Sequence, residues 1–293
     1  MNLNDLSIAD RDAYYKAILD NMTMMSDMFM RNVLKDQDCA EFVIQTIMQN
    51  KSLRIVDVVV ELDLKNMHGR SAVLDCVARD ADGKMYNIEI QQQEEGASPL
   101  RARYYASLLD MNTLDVGMDF GKLPETYVIF ITRSDVLGYG IPVYHIKRWI
   151  CEKSVVFGDK SVIIYVDSSN VQHETEVGRL MHDFRCKNAS EMHSKVLANR
   201  VSMLKDSPEG VRYMCTELKE LEAYGFKLGW EQGVQQGVQQ GIQQGRDEGA
   251  KQTSEKTVLN MLSDGFSPER IAKYVSNMSL EQIKTLDAKR CSL

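Results

Sequence analysis

Three polar residues on two adjacent segments could do chemistry together: Asp75 in AVLDCVARD, and Glu89 and Gln91 in KMYNIEIQQ. If both segments are extended, side chains alternate between faces. Asp75 then shares its face with Val73 and Val77. Asn87, Glu89 and Gln91 lie on one side of the second segment and Tyr86, Ile88 and Ile90 on the other. An acid between two apolar neighbours is a poor choice for mere solubility. The connection Ala81-Asp82-Gly83 decides whether the acids meet. A two-residue turn at Asp82-Gly83 sets Asp75 against Ile90, with the acids facing apart. A three-residue loop with Gly83 left-handed pairs Asp80 with Lys84 and sets Asp75 directly opposite Glu89, with Gln91 beside them. Two carboxylates opposed at about 5 Å between Cβ atoms repel unless a cation or a proton lies between. Magnesium, which seeks oxygen ligands, suits that geometry. Spacing alone leaves both turns open, and ordinary acids on a wet sheet face fit it as well.

The elements around the pair follow from periodicity. Residues 12–48 read as helical: Met22, Met25, Phe29 and Val33 recur at spacings of three and four, and CAEFVIQTIM (39–48) repeats the pattern. Segments 54–62, 72–80, 84–92, 126–132 and 161–167 are rich in β-branched and aromatic residues and read as strands. Pro99 opens a helical stretch, PLRARYYASLLDMNTL, before the strand at 126. The order helix, three-stranded meander, helix, strand predicts a mixed α/β core.

Composition bounds the function class. The chain has 293 residues with a formal net charge of −7. Its six cysteines are scattered singly without a CxxC pair, and its five histidines show no HExxH spacing, which argues against a disulfide frame and against zinc catalysis. There is no Walker loop and no dinucleotide-binding glycine fingerprint. The polar N-terminus MNLNDLSIADRD and the lack of a long apolar run predict a cytoplasmic protein with no membrane span.

The string GRSAVLDCVARDADGKMYNIEIQQ resembles the signature of the PD-(D/E)XK nuclease superfamily, and within it the Rpn-type recombination-promoting nucleases and putative transposases. The similarity runs from about Phe29 to Trp149 and includes RARYYASLLD, YVIFIT and GYGIPVYHI. It implies a restriction-endonuclease-like fold and a magnesium-dependent DNA endonuclease, with manganese as a substitute, acting in recombination or mobile-element biology. It implies Asp75 and Glu89 as metal ligands, the Ile90 backbone carbonyl as a third, and Glu41 as the acid supplied by an N-terminal helix. The sequence departs from the superfamily pattern at Gln91, where a catalytic lysine would stand. A neutral amide orients water but cannot neutralise charge. Arg101 and Arg103 on the following helix are candidates for that cation, and Arg103 with Tyr104 for phosphate contact, since guanidinium forks match phosphate oxygens. The competing reading is a catalytically weak or inactive scaffold, which Gln91 and the acidic body favour.

The C-terminal third is all-helical in pattern. Gly225, Gly229, Gly233, Gly237, Gly241, Gly245 and Gly249 fall every four residues, with Val234, Val238 and Ile242 at the same period. Each glycine costs a helix about 1 kcal/mol relative to alanine. A helix here needs compensation, and self-association through residues 225–249 supplies it; a flexible repeat is the alternative. From residue 225 onward nine basic residues face eight acids, a net +1, leaving −8 on residues 1–224. SPERIAKYV and SLEQIKTLDAKR are spaced like a helix-turn-helix, with Arg270, Lys273, Lys284 and Lys289 available to DNA. The expected organisation is an N-terminal segment (1–20), a nuclease-like domain (21–170), a helical connector (171–224), a glycine-periodic stalk (225–253) and a small helical module (254–293).

Overall fold

The computed structural model describes residues 8–64, 71–114 and 116–290. His68, Gly69, Arg70, Cys291 and the first seven residues lie outside that set. Three helices come first: α1 (Ile8–Asn21), α2 (Asp27–Leu34) and α3 (Gln37–Ile47). Asp36 caps α3 by accepting from the Cys39 N–H. The strands β1 (Ile55–Leu64), β2 (Ala72–Asp80) and β3 (Met85–Gln91) follow as an antiparallel meander. The helix α4 (Pro99–Thr113) then crosses to β4 (Thr126–Thr132), which pairs in parallel with β3. Short strands β5 (Val143–Ile146), β6 (Trp149–Ile150) and β7 (Val155–Val156) precede β8 (Ser161–Asp167). The main sheet has six strands in the order β1-β2-β3-β4-β8-β5, with β3, β4 and β8 parallel at its centre.

The central strands read as apolar runs because both of their faces are covered. One face carries Cys76, Ile88, Ile129 and Ile164 against α1 to α3 and the later helices. The other carries Val77, Val128, Phe130 and Tyr165 against Tyr105, Leu108 and Leu109 of α4. A change of face occurs within the meander. Val58 and Val60 pack on the first cluster, whereas Leu62 and Leu64, still at two-residue spacing, pack on the second. The ribbon rolls at Glu61, whose φ of 55° is left-handed. That conformation costs a non-glycine residue roughly 1–2 kcal/mol. In the β1–β2 register Glu61 falls opposite Asp75, between the pairs Val60↔Cys76 and Leu62↔Leu74.

The helices α5 (Glu176–Arg185) and α6 (Lys195–Asp206), with the start of α7 (Pro208–Ser263), belong to the main core and do not form a separate connector. Leu180, Phe184, Leu197, Val201, Leu204 and Met214 are all buried there. Lys205 is buried as well, and its ammonium donates to the carbonyls of Met22 (2.6 Å) and Lys187 (2.7 Å). Ser207 ends α6 and caps α7 by accepting from the Gly210 N–H.

The chain divides into two compact units, Met1–Lys219 and Glu220–Leu293. In the second, the glycine-periodic stretch is helical throughout. Open space surrounds each of its seven glycines, and Val234, Val238 and Ile242 are exposed. Beyond it, α8 (Pro268–Ile271) and α9 (Leu280–Arg290) close a small core of Val258, Leu262, Ile271 and Ile283. Two of the basic side chains there are engaged: Arg270 lies over the Phe266 ring, and Lys284 pairs with Glu269 at 3.1 Å. No helix among the described residues is long and apolar enough to cross a membrane.

Candidate active site at the β2–β3 hairpin

The turn resolves the question left by spacing. Gly83 is left-handed, with φ of 83°, and the Asp80 N–H donates to the Lys84 carbonyl at 3.0 Å, so the loop has three residues. The buried Asp80 carboxylate organises it, accepting from the N–H groups of Asp82 (3.0 Å) and Lys84 (2.8 Å) and from the Tyr86 hydroxyl (2.9 Å). The register Cys76↔Ile88, Val77↔Asn87 then carries Asp75 opposite Glu89.

At that position side chains replace the backbone ladder. The Asp75 N–H donates to Glu89 Oε1 at 3.2 Å, and the Ile90 N–H donates to Asp75 Oδ2 at 3.3 Å. The N–H and C=O of a strand residue leave the same edge, so the Ile90 carbonyl is on the Asp75 side of β3. Glu89 is buried and Asp75 half-buried. Both carboxyls are pushed well above the ordinary carboxylate range. For Glu89 the causes are burial and then the Asp75 charge, opposed by the Asn87 amide, which donates at 3.0 Å. For Asp75 they are burial and then the Asp27 charge, opposed by the Ile90 N–H, Arg31 and Arg101. Asn87 Oδ1 is itself buried without a donor. The site is rich in oxygen acceptors and short of positive charge, the donor set expected of a hard divalent cation.

The remaining expected residues divide. Gln91 lies two residues beyond Glu89 on the same face of β3, and its Oε1 accepts from the Arg101 guanidinium at 3.4 Å. Arg101 also donates to the Tyr105 hydroxyl at 2.7 Å and helps hold down the titration of both acids. Arg103 does not join them. Two residues on along α4 it points about 200° away, and it is exposed. Of the two arginines on α4, Arg101 is the one whose charge reaches the acids, and Arg31 of α2 also acts on Asp75. Tyr104 lines a cleft of about 630 Å³ with Ser71, Val73, Leu100, Arg101 and Tyr105. Glu41 is not brought to the pair. Its carboxylate accepts from the Ile55 N–H at 2.8 Å and from Gln45 at 3.1 Å, fixing the start of β1 to α3.

The helix acid near the pair is instead Asp27, in the first turn of α2, whose charge acts on Asp75. One turn on, Arg31 forms an ion pair with the left-handed Glu61 at 2.6 Å. A second cleft, of about 750 Å³, includes Ser26, Gln92, Arg133 and Arg185.

The fold and this hairpin agree with what a comparison with protein families finds. A model of the PD-(D/E)XK nuclease family transposases matches residues 41–224. The chain belongs to that family, which indicates a nuclease- or transposase-like role acting on DNA. No curated protein and no solved structure matches it.

Proposed function

We propose that the chain is a divalent-metal-dependent DNA endonuclease that hydrolyses phosphodiester bonds at the β2–β3 hairpin, in recombination or mobile-element movement. The observation that carries this reading is the opposition of Asp75 and Glu89 with Gln91 and Arg101 beside them. Asp75, Glu89 and the Ile90 carbonyl would hold the ion, magnesium by preference with manganese as a substitute. When bound, such an ion polarises the scissile phosphate and acidifies the attacking water. The Gln91 amide orients that water, and Arg101 supplies the positive charge that a lysine at position 91 would have brought. Arg101 and Tyr104 in one cleft, with Arg133 and Arg185 in the other, are the groups available to the DNA backbone on a body of net negative charge. Arg103, exposed on α4, serves as a peripheral phosphate contact. The exposed valine and glycine rows of residues 225–249 support self-association. A DNA substrate and free cysteines support a cytoplasmic setting.

The second reading, a scaffold that binds without cutting, rests on the neutral Gln91. Nicking of supercoiled plasmid with Mg²⁺ or Mn²⁺ separates the two, comparing wild type with Asp75→Ala and Glu89→Gln, with folding checked by thermal melting. Loss of cleavage in both folded variants supports the nuclease. A silent wild type, or variants that cut as well as it does, leaves the scaffold.

A further inference from the structure

His173, His182 and His193 are separated by nine and eleven residues, a spacing with no local signature, yet the fold gathers them. Their ring centroids lie 5.0 Å (173–182), 5.3 Å (173–193) and 4.7 Å (182–193) apart. One ring nitrogen from each can be chosen so that all three lie within 4.8 Å of one another. The closest pair, His173 Nδ1 and His193 Nε2, is 3.1 Å apart. Two nitrogens bound at about 2.05 Å on tetrahedral zinc lie about 3.4 Å apart, so this edge is already close to ligand geometry.

The surroundings hold the rings in place. His182 sits on α5, while His173 precedes that helix and His193 precedes α6. The buried Asp183 carboxylate accepts from the backbone N–H groups of His193 (2.7 Å) and Ser194 (2.8 Å), tying the third histidine to the helix that carries the second. Its Oδ1 also lies 3.5 Å from His182 Nδ1. Arg179 of α5 donates to the His173 carbonyl at 2.8 Å. The Cys186 sulfur is 3.4 Å from His182 Nδ1, the ring edge that also meets Asp183. An acid hydrogen-bonded behind the ligands, with imidazoles at an accessible surface, is how histidine metal centres are commonly oriented.

We propose that His173, His182 and His193 bind a borderline divalent transition-metal ion of the zinc type, leaving one coordination position to solvent and fastening the chain before and after α5 to that helix. The imidazole donor set separates this centre from the oxygen-only hairpin.

The test is equilibrium dialysis of the untagged full chain against zinc with excess Mg²⁺, with bound metal measured per chain. One zinc per wild-type chain is expected, together with a raised melting temperature. His173→Ala with His193→Ala, both exposed and safe for folding, should lose that zinc, while Cys186→Ser and Glu89→Gln retain it. A wild type that binds no zinc, a double variant that binds as much as wild type, or loss of zinc in Glu89→Gln overturns the proposal. Co²⁺ in place of zinc should give the intense visible absorption of a tetrahedral site in wild type and not in the double variant.

Discussion

The hairpin carboxylates and the histidine trio are held by opposite means. Asp75 and Glu89 are fixed by strand register, desolvated and forced together, so the free protein carries an electrostatic cost that a cation relieves. His173 and His193 are exposed, and they are brought together by loop anchoring with no comparable burial. In the proposed reading a cation or a proton relieves the first centre's charge, and geometry alone favours a cation at the second. The first should therefore respond to charge substitutions as well as to loss of its ligands, whereas both need deprotonated ligands to hold a metal.

The largest effect expected from that contrast is at Glu89. Outer-shell partners of metal sites are worth about 10- to 100-fold, so Glu89→Gln, which alters a proposed direct ligand, should lower plasmid nicking by more than about 100-fold. The same substitution removes a buried ionisable group and should leave the metal-free melting temperature unchanged or higher. A large fall in both would mean that Glu89 is structural.

Next is Arg101. Arg101→Ala should cost on the order of 100-fold in cleavage, the scale of losing one group that stabilises developing charge. If Arg101 substitutes for the missing lysine, Gln91→Lys in the Arg101→Ala background should recover most of that loss. No recovery would separate the two roles.

The pH dependence follows in size. A carboxyl ionises near pH 4 in the unfolded chain, whereas the folded protein keeps Asp75 and Glu89 protonated to higher pH. Between those limits the native state binds more protons than the unfolded state, so metal-free stability falls as pH rises from about 4 towards neutrality. The slope is about 1.4 kcal/mol per pH unit for each such group. Melting curves across that range should show the decline, Mg²⁺ or Mn²⁺ should reverse it, and Glu89→Gln should flatten it. A flat wild-type profile would contradict the paired burial. Arg103→Ala should do least, changing cleavage by less than about threefold, as befits an exposed phosphate contact. A larger fall would return Arg103 to the centre.

Much of this arrangement was legible in the sequence, and the part that was not has a physical cause. The five long strands follow from β-branched runs, and the Asp75–Glu89 meeting needed only the choice between two turns. Asp80 decides that choice with three hydrogen bonds, none visible in the spacing. Helix phase was the harder problem. Arg101 and Arg103 lie on a helix whose apolar residues surround it without a sharp stripe, so the sequence did not say which arginine turned inward. Asp27, Asp36, Asp38 and Glu41 fall within fifteen residues, and only tertiary packing selects Asp27. The histidines come from three segments with no shared period.

The glycine-periodic helix has a consequence in its phase. Four residues of an α-helix turn through about 400°, so each glycine stands about 40° round from the one before it. From Gly225 to Gly249 the row therefore turns through about 240°, as a right-handed spiral and not a groove along one side. A straight partner helix meets two or three successive glycines before the row leaves it, and a partner that follows the row must wind with the same hand. Each added GVQQ unit rotates the face on offer. Repeat number thus sets the direction in which a neighbour can approach as well as the length of the helix.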